Sequence, residues 1–165
     1  SSAASDVYKR QEISQVLIQQ NSENKQIYEE NTEKYIKDLE KVEKQYEEIS
    51  QELNGQKAIC LNEALEYLAK DIKLEYISLH TDHDENSMSA ESIKNIINKM
   101  NTENIKIILI GKDDSIKNAE ILANETNAKI YKLDTVLTGA TDKSAYIDAA
   151  NRNLEVLKSV LGDEK

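Results

Sequence analysis

The chain has 165 residues, 39% of them hydrophobic, and a formal net charge of −10. This length and apolar content suit one globular domain with a core of its own. The charge argues against a nucleic-acid partner, because phosphates attract clusters of Lys and Arg. No apolar run reaches the roughly 18 residues that a membrane span needs.

The N-terminal segment, residues 1–11 (SSAASDVYKRQ), begins without Met and shows no hydrophobic period. It also lacks the apolar stretch of a signal peptide. We predict a non-native or disordered leader here, since the segment resembles translated sequencing-adapter sequence of the kind found at the ends of metagenomic fragments. On this hypothesis the chain is the tail of a longer protein.

Residues 12–55 are predicted to form a long linking helix, with the strongest helical pattern from Asn21, a plausible N-cap, to the stop at Gly55. Apolar residues alternate four and three positions apart between charged ones. They are Tyr35, Leu39, Val42, Tyr46, Ile49 and Leu53. This stripe suits either a short coiled coil or a helix laid along a globular domain. Fewer than three full heptads favour the second interpretation.

After Gly55 short apolar runs alternate with amphipathic segments. The runs at residues 57–61, 74–79, 105–110 and 128–133 predict strands. The segments at residues 62–71, 89–100, 115–126 and 143–161 predict helices, with Ser89 and either Asp114 or Ser115 as N-caps. Crossovers of this length imply parallel strands. We therefore predict an α/β lobe over residues 56–165, with a four-stranded parallel sheet built from β-α repeats.

Open α/β sheets bind ligands at the carboxyl ends of their strands. Those ends correspond here to residues 62–63, 80–85, 111–114 and 134–141. The four glycines form neither a dinucleotide-binding nor a P-loop pattern, so nucleotide phosphates have no evident cradle. Cys60 with His80 or His83 could pair a nucleophile with a base, but the spacing gives no specific signal, and a buried small hydrophobe fits Cys60 better.

The loop at residues 80–85 (HTDHDE) packs two imidazoles and three carboxylates into six positions. This is the composition of a metal-binding loop, and also that of an ordinary solvated connector. Divalent metals accept His nitrogen and Asp oxygen as ligands. The loop and Asp134 could therefore face one another across the strand ends.

From about Glu12 onward the chain resembles the substrate-binding proteins of ABC transporters for zinc and manganese. The order and spacing of several short motifs carry the resemblance. They are residues 24–28 (NKQIY), 35–39 (YIKDL), 62–69 (NEALEYLA), 89–97 (SAESIKNII), 119–126 (AEILANET), 133–134 (LD) and 146–154 (YIDAANRNL). The resemblance implies two α/β lobes joined by one long helix, with the metal in the cleft between them. This chain would supply the helix and the C-terminal lobe.

The resemblance also implies the metal ligands. In that family the C-terminal lobe contributes a His after its first strand and an acidic residue after its last, and Asp134 matches the acidic ligand. The His position falls on Asn62, whose amide oxygen is a weaker donor than imidazole nitrogen for zinc. Asn62 is either a ligand or only the N-cap of the following helix. His80 could be the compensating donor.

The expected function is that of an extracytoplasmic solute-binding protein, in the periplasm or on the cell surface as a lipoprotein. It would capture zinc or manganese for an ABC transporter permease and would be no enzyme, with no organic cofactor and no nucleic-acid partner. Membrane association would require an N-terminal anchor that this sequence lacks. The alternative is a coiled-coil or adhesin-like interaction module with a degenerate metal site.

Overall fold

The computed structural model describes residues 2–79, 89–136 and 142–163. The chain forms two compact units, Ser1–Glu47 and Glu48–Lys165. Helix α1 (Ser2–Gln20) lies in the first unit, and helix α2 (Lys25–Leu53) begins there and ends in the second. No helix in the described part of the chain is long and apolar enough to cross a membrane.

The N-terminal region is helical but interrupted. A short 3-10 turn, Ser22–Asn24, separates α1 from α2, because Asn21 leaves the helical conformation with φ −145°. The single helix predicted over residues 12–55 is therefore two helices. Residues 2–11, predicted to be a non-native or disordered leader, are part of α1. This stretch has no Gly or Pro to oppose a helix. Within the first unit the guanidinium of Arg10 lies 4.1 Å from the ring centroid of Tyr35.

The apolar stripe of α2 is confirmed as a buried face. Leu39, Val42, Ile49 and Leu53 are buried, while Tyr35 and Tyr46 are partly exposed. Residues three and four apart share one side of a helix, so this spacing gathers the apolar side chains away from solvent.

The second unit contains a four-stranded parallel sheet, as predicted. Its strands are β1 (Lys57–Cys60), β2 (Glu75–Ser78), β3 (Ile107–Gly111) and β4 (Lys129–Leu133). The order across the sheet is β2-β1-β3-β4, and every pairing is parallel. The helices that alternate with the strands are α3 (Glu63–Asp71), α4 (Ala90–Thr102), α5 (Lys117–Thr126) and α6 (Ala145–Asp163).

The centre of the sheet is buried along its whole length, since every residue of β3 is buried. Ile59, Ile108 and Ile110 form one core cluster with Met100 of α4 and Leu122 of α5. A strand flanked by strands and covered by helices needs apolar residues at consecutive positions, which explains the continuous run in β3.

Two predicted helix caps have different outcomes. Ser89 caps α4, since its Oγ accepts a 3.1 Å hydrogen bond from the backbone N–H of Ser92. The prediction of Asp114 or Ser115 as the cap of α5 is wrong, because that helix begins at Lys117 and Ile116 gives it no side-chain cap. The carboxylate of Asp114 turns back to the end of β3 instead.

The strand order fixes where a ligand would bind. From β1 the chain moves outward to β2 and then returns past β1 to β3. The connections therefore diverge between β1 and β3, and such a switch point leaves a crevice outside the carboxyl ends of the two strands. Asn62 follows β1 at this crevice, and residues 112–114 follow β3.

Candidate metal centre

Asn62 is the N-cap of α3. Its backbone is extended, and its Oδ1 accepts a 2.9 Å hydrogen bond from the N–H of Ala64. Its Nδ2 donates a 2.8 Å hydrogen bond to Oδ2 of Asp114. The predicted capping role is thus confirmed. An amide oxygen has two lone pairs, so the cap leaves one of them for a further partner.

Asp114 lies over the end of β3 and is held there from two sides. Its Oδ2 accepts a 2.8 Å hydrogen bond from the N–H of Gly111 as well as the one from Asn62. A Cβ on Gly111 would come within 2.7 Å of that oxygen. The absence of a side chain at Gly111 therefore lets the Asp114 carboxylate bridge the ends of β1 and β3.

Asp134 follows β4 directly and is only 5% exposed. Its Oδ2 accepts hydrogen bonds from Lys112 Nζ at 2.8 Å and from Arg152 Nη2 at 3.0 Å. Its Oδ1 accepts a 2.9 Å hydrogen bond from the N–H of Val136. A buried carboxylate is tolerated only when such partners replace its hydration.

The backbone of Asp134 is fixed by α6. The Asn153 side chain accepts a hydrogen bond from the Asp134 N–H at 2.7 Å and donates one to its carbonyl at 2.9 Å. Asn153 is itself buried. This two-point contact sets the position of the carboxylate relative to the helix.

Two opposing effects act on the pKa of Asp134. Burial raises the pKa, but hydrogen bonds from Lys112, Val136 and Arg152 outweigh that effect and lower it from 3.8 to about 2. Hydrogen bonds and cations that contact the charged form are the general cause of such a decrease. Asp134 is therefore an anion at neutral pH, which is the state that a metal ligand requires.

Val136 adopts a left-handed backbone conformation with φ 59°. This region is costly for a β-branched residue. The hydrogen bond from its N–H to Asp134 supports the turn. The strained residue thus lies two positions from the candidate ligand.

Cys60 is buried. Burial raises the pKa of its thiol to about 11, and the Sγ donates a 3.3 Å hydrogen bond to the carbonyl of Asn62. The thiol is the unreactive form of cysteine and dominates at neutral pH. This agrees with the predicted role of Cys60 as a small buried hydrophobe.

Two of the three predicted ligands lie at the carboxyl ends of the strands. Asn62 and Asp134 follow β1 and β4, with β3 between these strands, which places the strands about 10 Å apart. The third, His80, and its neighbour His83 lie outside the described residues. Within the ranges that the structure describes, no group of three or more His, Cys, Asp and Glu side chains could hold a metal ion.

Three contacts of Asp134 were not anticipated from the sequence. They come from Lys112, Arg152 and Asn153. Lys112 does lie in a predicted strand-end segment, and Arg152 and Asn153 lie in a motif that carries the resemblance. Cationic residues within such segments are the signal that could have identified partners for a strand-end carboxylate.

Comparisons with known proteins define the class. Residues 9–160 match the family of the periplasmic component A of zinc-uptake complexes, ZnuA. The chain is 30% identical over 154 residues to the high-affinity zinc uptake system protein ZnuA of Bacillus subtilis, covering 90% of this chain and 48% of that protein. These are substrate-binding proteins of metal transporters. The chain belongs to the ZnuA family.

Solved structures share the fold. The metal-dependent lipoprotein YcdH of Bacillus subtilis is 28% identical with a TM-score of 0.73, over 89% of this chain and 57% of that one. A manganese-bound periplasmic metal-binding protein of Candidatus Liberibacter asiaticus has 22% identity and a TM-score of 0.66, over 96% and 61% of the two chains. The chain thus spans about half the length of the curated relative, and its fold matches one α/β lobe of these two-lobed proteins.

Proposed function

We propose that this chain is the linking helix and C-terminal lobe of an extracytoplasmic solute-binding protein that captures a divalent metal cation, zinc or manganese. The observation that carries the proposal is the buried Asp134 carboxylate, which stays ionised at the carboxyl end of β4. The same residue aligns with the acidic ligand that the family resemblance implies. On this proposal the chain corresponds to part of a two-lobed protein, and the protein is not an enzyme.

The donor atoms determine which cations suit the site. Asp134 offers a carboxylate oxygen and Asn62 an amide oxygen, both of which are hard donors that suit manganese. A nitrogen donor from His80 would add the ligand type that zinc prefers. We propose Asp134, Asn62 and His80 as the contribution of this lobe, with a cation bound over the end of β3.

The proposed partner is the permease of an ABC importer, with the protein located in the periplasm or on the cell surface. The relatives support this proposal, since one is named for zinc uptake and another is a metal-dependent lipoprotein. Closure of two lobes around a cation would exclude water and change the surface offered to a permease, as hinge motion does in binding proteins.

The test is a calorimetric titration of the 165-residue chain with Mn²⁺ and with Zn²⁺. Asp134→Asn preserves the shape of the side chain and removes its charge, so we expect it to weaken cation binding at least about tenfold, or about 1.4 kcal/mol. Asp71→Asn is the matched control, because Asp71 is the last residue of α3 and lies near the amino-terminal ends of the strands. An unchanged dissociation constant in Asp134→Asn would remove this residue from the site. The proposal places further ligands on a second lobe, so binding by this chain should be weak, and tight binding would contradict it. Dimerisation that disappears when Leu39 and Val42 are made polar would favour the interaction-module alternative.

A further inference from the structure

Two cations already share one oxygen of the candidate metal ligand. Lys112 follows β3 and Arg152 lies on α6, yet both donate to Oδ2 of Asp134, at 2.8 Å and 3.0 Å. Asp134 itself is 4% exposed at its side chain, whereas the side chains of Lys112 and Arg152 are 38% and 60% exposed. The carboxylate is therefore fixed, while its two partners extend into solvent.

The charges in this cluster do not balance. One carboxylate faces an ammonium and a guanidinium, so the cluster carries one net positive charge. A divalent cation next to Asp134 would meet two positive groups within a few ångströms, and such repulsion remains considerable near a protein surface. Both cations also compete for the lone pairs that a metal would use.

We infer that Lys112 and Arg152 set the metal affinity of this site by acting as built-in competitors of the cargo cation. They satisfy the buried Asp134 carboxylate when no metal is bound, and they withdraw into solvent when a metal takes their place. Metal capture is then an exchange of cations. The inference rests on the proposed function, because it requires Asp134 to be a metal ligand.

The exposure of the two side chains makes such an exchange feasible. The exposed ends of Lys112 and Arg152 can be hydrated once they withdraw, and the bound metal then supplies the positive charge that the buried Asp134 carboxylate requires. Withdrawal leaves the Asp134 backbone in place, since Asn153 holds it through two hydrogen bonds of its own. The N–H of Val136 continues to hold Oδ1.

A purely structural role of the same residues has the opposite consequence. If Lys112 and Arg152 only position Asp134, their removal leaves the carboxylate less well placed, and the metal binds more weakly. If they compete with the metal, their removal makes binding tighter. The sign of the change in dissociation constant separates the two roles.

The experiment measures dissociation constants of the 165-residue chain for Mn²⁺ and Zn²⁺ with Lys112→Gln, Arg152→Gln and the double variant. We expect each single change to tighten binding about tenfold, or about 1.4 kcal/mol. Lys112→Arg retains the charge and should bind as the original chain does. Lys70→Gln removes the same charge from the last turn of α3, near the amino-terminal ends of the strands. It should leave both dissociation constants unchanged.

Thermal unfolding without metal checks that each variant is folded. Should Lys112→Gln fail to fold, Arg152→Gln carries the same test, because its guanidinium is the more exposed of the two. Unchanged or weaker binding in folded variants of a chain that binds metal overturns the inference and leaves the proposed function in place. No binding by the unaltered chain or by its folded variants overturns the inference for this chain, while the proposed function, which places further ligands on a second lobe, stands.

Discussion

The side chain of Asn62 donates a 2.8 Å hydrogen bond from Nδ2 to Oδ2 of Asp114, which lies beyond the end of the neighbouring strand. The same Asn62 side chain accepts the capping hydrogen bond of α3 through Oδ1. At the crevice between β1 and β3, Nδ2 therefore contacts Asp114 while Oδ1 caps α3. A ligand role for Asn62 has to use the remaining lone pair of Oδ1.

Asn62→His is expected to strengthen zinc binding and to weaken the fold. The change introduces the imidazole that the family resemblance places here, and imidazole nitrogen is a good zinc ligand. It also removes the Asn62 cap, which should cost about 1 kcal/mol of unfolding free energy. Calorimetry with Zn²⁺ and urea denaturation measure the two effects.

Asn62→Ala is the control for this pair of effects. It removes the cap without adding a nitrogen donor. We therefore expect a similar decrease in unfolding free energy and no increase in zinc affinity. Equal zinc affinity in Asn62→His and Asn62→Ala would show that position 62 does not face the metal.

The contribution of Asp134 to stability should depend on pH. The folded-state pKa of about 2 is lower than the ordinary 3.8. A depressed carboxyl pKa stabilises the folded state above the unfolded-state pKa, and this stabilisation is lost as the pH falls through the folded-state value. The difference of nearly two pKa units corresponds to at most about 2.5 kcal/mol, and the exposure of Lys112 and Arg152 reduces that figure.

Urea denaturation of the original chain and of Asp134→Asn between pH 7 and pH 2 measures this contribution. We expect the difference in unfolding free energy to be constant above about pH 5 and to shrink toward pH 2. A difference for Asp134→Asn that stays constant down to pH 2 would contradict the lowered pKa.

The Cys60 thiol should resist alkylation as long as the chain is folded. Burial raises the pKa of this group to about 11, and only the thiolate reacts at an appreciable rate. The measurement is the rate of iodoacetamide labelling at pH 8, with and without denaturing urea. Because the chain has one cysteine, the labelled fraction reports on Cys60 alone. Rapid labelling of the folded chain, at the rate seen in urea, would be incompatible with the buried thiol.

Val136→Asn is expected to stabilise the second unit by about 1 kcal/mol. The left-handed φ of 59° disfavours a β-branched side chain, whereas Asn adopts this conformation more readily. The hydrogen bond from residue 136 to Asp134 uses the backbone N–H and is retained. Urea denaturation measures the gain.

Val136→Ala is the companion variant. It removes the β-branch but keeps a Cβ in the left-handed conformation, so its gain should be smaller than that of Asn. A loss of stability in Val136→Asn would mean that the valine side chain contributes packing that outweighs its backbone strain.

The local elements were well predicted from the sequence. The four strands and helices α3 to α6 each overlap their predicted ranges, with ends that differ by at most two residues. Apolar runs and helical spacing are properties of neighbouring residues, and they determine whether a segment can bury one side or both. Crossover lengths in turn required parallel strands. Asn21, predicted as the N-cap of the long helix, does lie at the break before α2, but its side chain makes no capping hydrogen bond, and a separate helix α1 before it was not predicted.

The sequence by itself thus determined the α/β class, the strand-end position of Asn62 and Asp134 and, through its motifs, the family. Only the tertiary structure decided the strand order β2-β1-β3-β4 and the partners of each candidate ligand. Asp134 meets Lys112 and Arg152 across 22 and 18 residues of chain, and Asn62 meets Asp114 across 52. Such contacts depend on how strands pair and helices pack, and the spacing of residues along the chain does not specify them.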